Sequence, residues 1–249
     1  EFVPAEGRRR GRVALLAGCA QQVLAPEINL ATLRVLSKNG IEVVVPVEQG
    51  CCGALAAHTG AGEIARQQAS HNIKVFPDDV DAVITNAAGC GSGLKEYPLW
   101  LADREEPAQK FAARAMDISQ YLSKIGLIRP PALARSMRVA YHDACHLSHG
   151  QGVRNEPREI LAQIEGVEVV AIQDSDICCG SAGTYSIEQP GIARRMGQRK
   201  AQAIIEADAE IIAMGNIGCM TQVENHLRKL GSNIPVKHTV EILDAAYQS

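Results

Sequence analysis

Short apolar runs alternate with longer stretches of helical periodicity, and the alternation occurs twice. In the first half, Val13-Ala14-Leu15-Leu16-Ala17, Val43-Val44-Val45 and Ala82-Val83-Ile84 are continuous apolar runs, the mark of strands buried on both faces. Between the first two, Ile28, Ala31 and Val35 recur at helical spacing, and Asn39-Gly40 closes the pattern. Between the second and third, Ala61, Ala65, Ala69 and Ile73 form an i, i+4 seam. In the second half the strand-like runs are 138–141, 167–172 and 210–213. The longest predicted helix opens at Pro190, a good first-turn residue, and runs to about Ala207. Strands alternating with helices of this length predict βαβ units and parallel sheets. The expected fold class is α/β, as two duplicated Rossmann-like lobes, each with a parallel sheet flanked by helices. The expected boundaries are a linker over 1–11, a first repeat over 12–130 and a second over 131–249. The join falls at Arg129-Pro130-Pro131, where two prolines break any helix.

Composition narrows the class. The chain has 249 residues, 46% apolar and 21% charged, values of an ordinary globular protein rather than a disordered or fibrous one. No run approaches the roughly 18 apolar residues of a membrane span, and no signal peptide is visible. Net charge is −3 (25 basic, 28 acidic) and aromatic residues are 4%, so nucleic acid is not an expected partner. The eight cysteines are too few for a disulfide-stapled scaffold, and a chain this long can bury a core without staples.

Their positions form one pattern used twice. Cys19, Cys51, Cys52 and Cys90 are separated by 31, 0 and 37 residues. Cys145, Cys178, Cys179 and Cys219 are separated by 32, 0 and 39. The offsets between equivalents (145−19, 178−51, 179−52, 219−90) are 126, 127, 127 and 129. Both pairs read Cys-Cys-Gly, and both last cysteines follow a strand-like run ending in glycine, so the chain is an internal duplication. Every cysteine position follows the C-terminal end of a predicted strand, the edge at which open parallel sheets bind ligands. Three consecutive loops can bring four thiols together there, beside helix N-termini that favour anions.

Several chemistries compete for these thiols. A lone cysteine after a strand is commonly a small buried hydrophobe, but two matched sets of four argue against that for all eight. Structural disulfides need an oxidising compartment, and adjacent cysteines do not readily bridge each other. A four-thiolate zinc site in each half is chemically sound, although common zinc modules space their ligands as two close pairs. An iron–sulfur cluster in one or both halves fits thiolate-only ligation and an anion-friendly edge. Metal-free thiol–disulfide exchange is a further reading. His142, His146 and His149 surround Cys145 and are read as hydrogen-bonding residues behind the ligands or as exposed loop residues, with ligation, proton shuttling or quinone contact as alternatives. His58, His71, His226 and His238 carry no signal. Arg8-Arg9-Arg10 is read as a solvated linker, and Gly180-Ser181-Ala182-Gly183 as half a phosphate loop or a wall of the thiol pocket. No Ser-His-Asp set, paired catalytic carboxylates or Walker loop is present.

The doubled Cys…Cys-Cys-Gly…Cys arrangement resembles the cysteine-rich CCG domain of the heterodisulfide reductase superfamily. The flanks Leu16-Ala17-Gly18-Cys19-Ala20-Gln21, Gly50-Cys51-Cys52-Gly53-Ala54, Gly89-Cys90-Gly91 with Lys95-Glu96-Tyr97, Cys178-Cys179-Gly180-Ser181-Ala182-Gly183-Thr184-Tyr185 and 213–219 are most similar to glycolate oxidase iron–sulfur subunits. The resemblance spans roughly residues 12–246. It implies an electron-transfer module of a 2-hydroxy-acid (glycolate) oxidoreductase, passing electrons from FAD-binding glycolate oxidase subunits toward quinone. The isolated chain would not oxidise glycolate alone. It implies a [4Fe-4S]-type cluster held by Cys19, Cys51, Cys52, Cys90 or Cys145, Cys178, Cys179, Cys219 or both, with zinc possible in one. The second set is favoured for its histidines. The implied location is cytoplasmic, with peripheral attachment to the inner face of the cell membrane left open. Two departures matter. The family's N-terminal ferredoxin-like region, with its two Cys-x-x-Cys-x-x-Cys runs, is absent from this sequence, which is expected to be the C-terminal part of a longer protein. Where heterodisulfide reductase places a fifth cysteine, the chain has Gly93 and Gln222, so a five-thiolate non-cubane centre is not expected. A disulfide reductase and a zinc-bound docking module are the alternative functions.

Overall fold

A computed structural model describes residues 1–102 and 105–249. The chain forms two compact units, Glu1–Ile128 and Arg129–Ser249. Unit 1 runs β1 (Phe2–Val3), β2 (Gly11–Leu15), α1 (Cys19–Leu24), α2 (Pro26–Lys38), β3 (Ile41–Val44), α3 (Ala54–His58), α4 (Gly62–Val75), β4 (Ala82–Thr85), α5 (Ala88–Lys95), α6 (Tyr97–Trp100), α7 (Glu105–Arg114), β5 (Ala115–Asp117) and α8 (Ile118–Ile125). Unit 2 runs β6 (Met137–Tyr141), α9 (Cys145–Ser148), α10 (Glu156–Ala162), β7 (Val167–Val170), α11 (Tyr185–Glu188), α12 (Pro190–Glu206), β8 (Ile211–Met214), α13 (Ile217–Lys229), β9 (Val236–His238) and α14 (Thr239–Tyr247).

The two sheets have one topology. Strand order is β1-β3-β2-β4-β5 in unit 1 and β7-β6-β8-β9 in unit 2. All pairs are parallel except β1 on β3. The chain leaves the central strand β2 to one side for β3, then crosses to the other side for β4. Unit 2 does the same from β6 to β7 and β8. This reversal of strand order is the switch point of a doubly wound sheet, where consecutive loops open into one crevice.

The apolar runs form strands because helices cover both faces of each sheet. Val13, Ala14, Leu15, Val83 and Ile84 are fully buried, as are Val139, Ala140, Ile212 and Ala213. The seams predicted from spacing face the sheet: Ile28, Ala31 and Val35 on α2, and Ala65 and Ala69 on α4. Gly40 turns the chain out of α2 at φ 74°. Unit 1 adds an aromatic layer behind its cysteines, with Tyr97 stacked on Phe111 (5.4 Å) and Phe76 edge-on to Phe111 (5.7 Å).

Residues 1–11 are not a bare linker. β1 extends the sheet, with Phe2 opposite Val44, and Gly11 already lies in β2. Arg10 donates to the carbonyls of Asn39, Ile125 and Gly126, and Arg9 lies 3.6 Å from Glu42. Backbone carbonyls at chain crossings hold Arg10, which no local pattern reveals. The three-residue strands β5 and β9 are also unheralded in sequence. Ala-Met-Asp and Val-Lys-His are too short to show a period and extend because β4 and β8 offer open edges.

Candidate metal centres

Each switch point gathers four thiols. Cys19 lies four residues past Leu15, the end of β2, and Cys145 lies four past Tyr141, the end of β6. Cys90 and Cys219 each lie five residues past the ends of β4 and β8. The Cys-Cys-Gly segments follow β3 and β7. In unit 1 the Sγ atoms of Cys19 and Cys51 are 3.5 Å apart, and the contact string continues from Cys51 to Cys52 and from Cys52 to Cys90. In unit 2 it runs Cys145 to Cys178 to Cys179 to Cys219. Backbone N–H groups point at the sulfurs: Gly53 N donates to Cys51 Sγ at 3.5 Å and Gly180 N to Cys178 Sγ at 3.3 Å. Both glycines are left-handed (φ 83° and 87°), the conformation that turns the N–H inward.

The surroundings of the two sets differ. The unit 1 pocket is walled by Ala54, Leu94, Tyr97 and Trp100. Asn72 organises its backbone: it donates to Cys51 O and Tyr97 Oη, and accepts from Gly50 N, all at 2.9 Å. The wall is apolar and the polar group that serves it is a neutral amide. Here Cys19, Cys51 and Cys52 are pushed up in pKa. Cys51 rises through its hydrogen bond with Cys52 and through burial, and Cys19 through burial and then Cys51. Cys52 rises because Cys90 and burial together outweigh the opposing bond from Cys51.

Unit 2 is polar and partly cationic. Ser181 Oγ lies 3.1 Å from Cys179 Sγ and donates to Cys219 Sγ at 3.9 Å, and Asn216 Nδ2 donates to Cys219 Sγ at 3.4 Å. Lys200 is buried and donates its ammonium to the carbonyls of Asp174 and Ser175 in the loop that carries Cys178. Burial lowers its pKa, against the pull of Cys179, Asp174, Asp176 and Asp143. Arg158 clamps buried Asp143 with two hydrogen bonds of 2.7 and 2.6 Å. Burial opposes ionisation of Asp143, but the bonds from Arg158 and Ser175 prevail and its pKa is lowered. The thiols split in direction. Cys145 and Cys179 are raised, chiefly through their bonds with Cys178. Cys178 is lowered by its bonds with Cys145 and Cys179. Cys219 is lowered because Cys179, His142 and Asn216 outweigh its burial.

The histidines flanking Cys145 have three different fates. His142 is fully buried, and one of its ring nitrogens lies within 4.8 Å of both Cys179 Sγ and Cys219 Sγ. His146 Nδ1 lies 3.6 Å from Cys145 Sγ. His149 bonds to Asp176 O and Arg154, in the loop rather than at the thiols. The Gly180–Gly183 segment lines the thiol pocket through Ser181. Neither fifth-cysteine position can add a sulfur: a Cβ on Gly93 would meet Ala54 Cβ at 2.9 Å, and Gln222 donates to Ala193 O at 3.3 Å. Lys200, Asn216, Asp143 and Arg158 escaped sequence reasoning. Laying one repeat on the other by its cysteines would have flagged two of them, since Asp143 and Asn216 fall opposite Ala17 and Ala87.

A cysteine-rich (CCG) domain model matches residues 13–95 and 139–224, which hold the four thiols of each unit. The chain belongs to the cysteine-rich CCG family. Within it, the chain is 35% identical to the probable glycolate oxidase iron–sulfur subunit of Bacillus subtilis and 34% identical to the glycolate oxidase iron–sulfur subunit of Escherichia coli, in each case over 97% of this chain. It covers 56% and 59% of those two proteins, so it spans little more than half their length. It is 30% identical to lactate utilization protein A of Oceanobacillus iheyensis, covering 94% of this chain and 96% of that one. A crystal structure of a hypothetical protein from Helicobacter pylori shares the fold, with a TM-score of 0.63 at 10% identity, over 99% of this chain and 52% of the other. Among the described residues no helix is long and apolar enough to cross a membrane.

Proposed function

We propose that this CCG protein is the electron-transfer iron–sulfur module of a 2-hydroxy-acid oxidoreductase, with glycolate or lactate as the substrate class and with electrons passing from an FAD-binding subunit toward quinone. The observation that carries the reading is the thiol string at each switch point. Four sulfurs in contact, with a backbone N–H donor aimed at one of them, form a donor set suited to an iron–sulfur cluster. The names of the relatives point the same way. A bound cluster would supply reversible one-electron chemistry. The protein's part is to hold the thiolates, exclude water and set the potential. Cys145, Cys178, Cys179 and Cys219 would hold a [4Fe-4S]-type cluster in unit 2, and Cys19, Cys51, Cys52 and Cys90 offer unit 1 the same donors. Amides at the starts of α1 and α9, together with those of Gly53 and Gly180, favour the anionic form.

The test is anaerobic purification with iron, acid-labile sulfide and zinc quantified per chain. Iron with matching sulfide and an absorption band bleached by dithionite is the expected result. Stoichiometric zinc without sulfide would overturn the redox reading in favour of a structural module. A metal-free protein that turns over disulfide substrates would replace it with a thiol–disulfide reductase.

A further inference from the structure

The two thiol sets differ most sharply at one ladder position. Leu16 and His142 are the first residues past β2 and β6. Each donates its backbone N–H to the neighbouring strand at 2.9 Å, Leu16 to Ile84 O and His142 to Ala213 O. Leu15 pairs with Ile84 and Tyr141 with Ala213, so the two residues are equivalent in register as well as in sequence offset. Unit 1 has an aliphatic side chain where unit 2 has an imidazole.

The imidazole is set up as a ligand. His142 is 0% exposed. Its Nδ1 faces Ser175 O at 3.1 Å, and a carbonyl can only accept, so Nδ1 is committed as a donor and Nε2 is the nitrogen left to meet a metal. Nε2 is buried and has no hydrogen-bond partner of ordinary geometry. A ring nitrogen of His142, Cys179 Sγ and Cys219 Sγ all lie within 4.8 Å of one another, in the interior. A buried imidazole nitrogen grouped with two buried thiols is a three-donor set, and a thiophilic metal centre is the group that accepts all three.

We propose that His142 is a direct nitrogen ligand of the unit 2 metal centre, which is therefore a mixed histidine–cysteine site, whereas unit 1 is ligated by sulfur alone. The inference rests on the iron–sulfur reading only for the identity of the metal. A neutral imidazole adds no negative charge, so the centre has a higher reduction potential than it would with a thiolate at the same position.

The experiment uses the whole chain, prepared anaerobically with 15N-labelled histidine. Pulsed EPR of the dithionite-reduced protein should show a strong nitrogen coupling that changes with the label. The coupling should vanish in His142→Leu, which copies unit 1, and persist in His149→Leu. His142→Cys should keep the iron, lose the coupling and shift the potential downward. A cluster with no strong nitrogen coupling in the unaltered protein, which needs no variant to fold, overturns the inference while leaving the redox reading intact. If the protein carries zinc without sulfide, the redox reading fails, and X-ray absorption at the zinc edge still decides the ligand. A nitrogen shell at about 2.0–2.1 Å beside sulfur at about 2.3 Å supports His142, and sulfur alone overturns it. If no metal binds at all, both fall.

Discussion

Unit 1 and unit 2 share one topology, one cysteine spacing and one left-handed glycine, yet surround their thiols with opposite chemistry. Where unit 2 has His142, Asp143, Ser181 and Asn216, unit 1 has Leu16, Ala17, Ala54 and Ala87 at the matching offsets. The helices that pack on the Cys-Cys-Gly segments extend the match. Gly53 approaches Ala65 of α4 and Gly180 approaches Ala193 of α12, an offset of 128 (193−65), which places Lys200 opposite Asn72 (200−72). Unit 1 thus satisfies its buried backbone with a neutral amide, and unit 2 uses an ammonium. Duplication preserved the donor atoms and diverged in what sets their charge. In a protein interior the neighbours of a thiolate matter as much as the thiolate, because low polarity magnifies each nearby dipole and charge.

The strongest way to break this comparison is to remove one sulfur from each unit. Cys179→Ser should abolish the unit 2 centre and leave unit 1 metal in place, and Cys52→Ser should do the reverse. Metal quantitation on each variant checks the pair, and loss of both centres from either single change would show that the units do not load independently.

Next in size is the glycine after each pair. A Cβ at Gly180 would lie 2.7 Å from Ala193 O, and one at Gly53 would lie 3.3 Å from Ala65 O, both at positive φ. Left-handed strain alone costs about 1–2 kcal/mol, and overpacking adds about 1–3 kcal/mol where backbone cannot retreat. Gly180→Ala should therefore destabilise its unit by about 3 kcal/mol and Gly53→Ala by about 1–2 kcal/mol. Denaturant unfolding of the two variants measures the difference.

The Arg158–Asp143 clamp has no counterpart at Ala17. Arg158→Met should cost unit 2 about 2 kcal/mol, the scale of hydrogen bonds to a buried charge, reduced because Arg158 itself is partly solvated. The folded pKa of Asp143 is depressed, so its contribution is present above the ordinary carboxylate pKa of about 3.9 and disappears as pH falls through the lower folded value. The gap between wild type and variant should close in acid, as read by unfolding at stepped pH.

The smallest expected effect is electrostatic. A buried ammonium near Cys179 stabilises the more negative, reduced centre. Lys200→Met should lower the unit 2 potential by about 59 mV, a tenfold change for a one-electron couple. Asn72→Lys should move unit 1 the other way. A spectroelectrochemical titration follows both, and equal potentials in wild type and Lys200→Met would remove the charge argument.

Much of this was legible in advance. The runs at 13–17 and 82–84 and their counterparts at 138–141 and 210–213 became central parallel strands because nearly continuous burial leaves a continuous apolar signature, while β3 and β7 are only partly buried. The seams of α2 and α4 and the start of α12 at Pro190 follow from periodicity and cap chemistry. β5 and β9 were not legible, because three residues extended by a neighbour's open edge carry no period of their own. Nor was the role of residues 1–11, whose place depends on β3 and on carbonyls more than a hundred residues away.

The same division holds at the two thiol sites. By itself the sequence determined that there are two sets of four thiols on duplicated α/β units, since spacing relative to strand ends is a one-dimensional property. Which side chains stand against those thiols was decided by tertiary structure alone. His142 and His149 lie seven residues apart, yet one is sealed against two sulfurs and the other faces a loop, and Lys200 reaches the loop before Cys178 from the middle of a helix. Such neighbours are chosen by how a helix packs across a sheet, and that contact leaves no trace in local spacing.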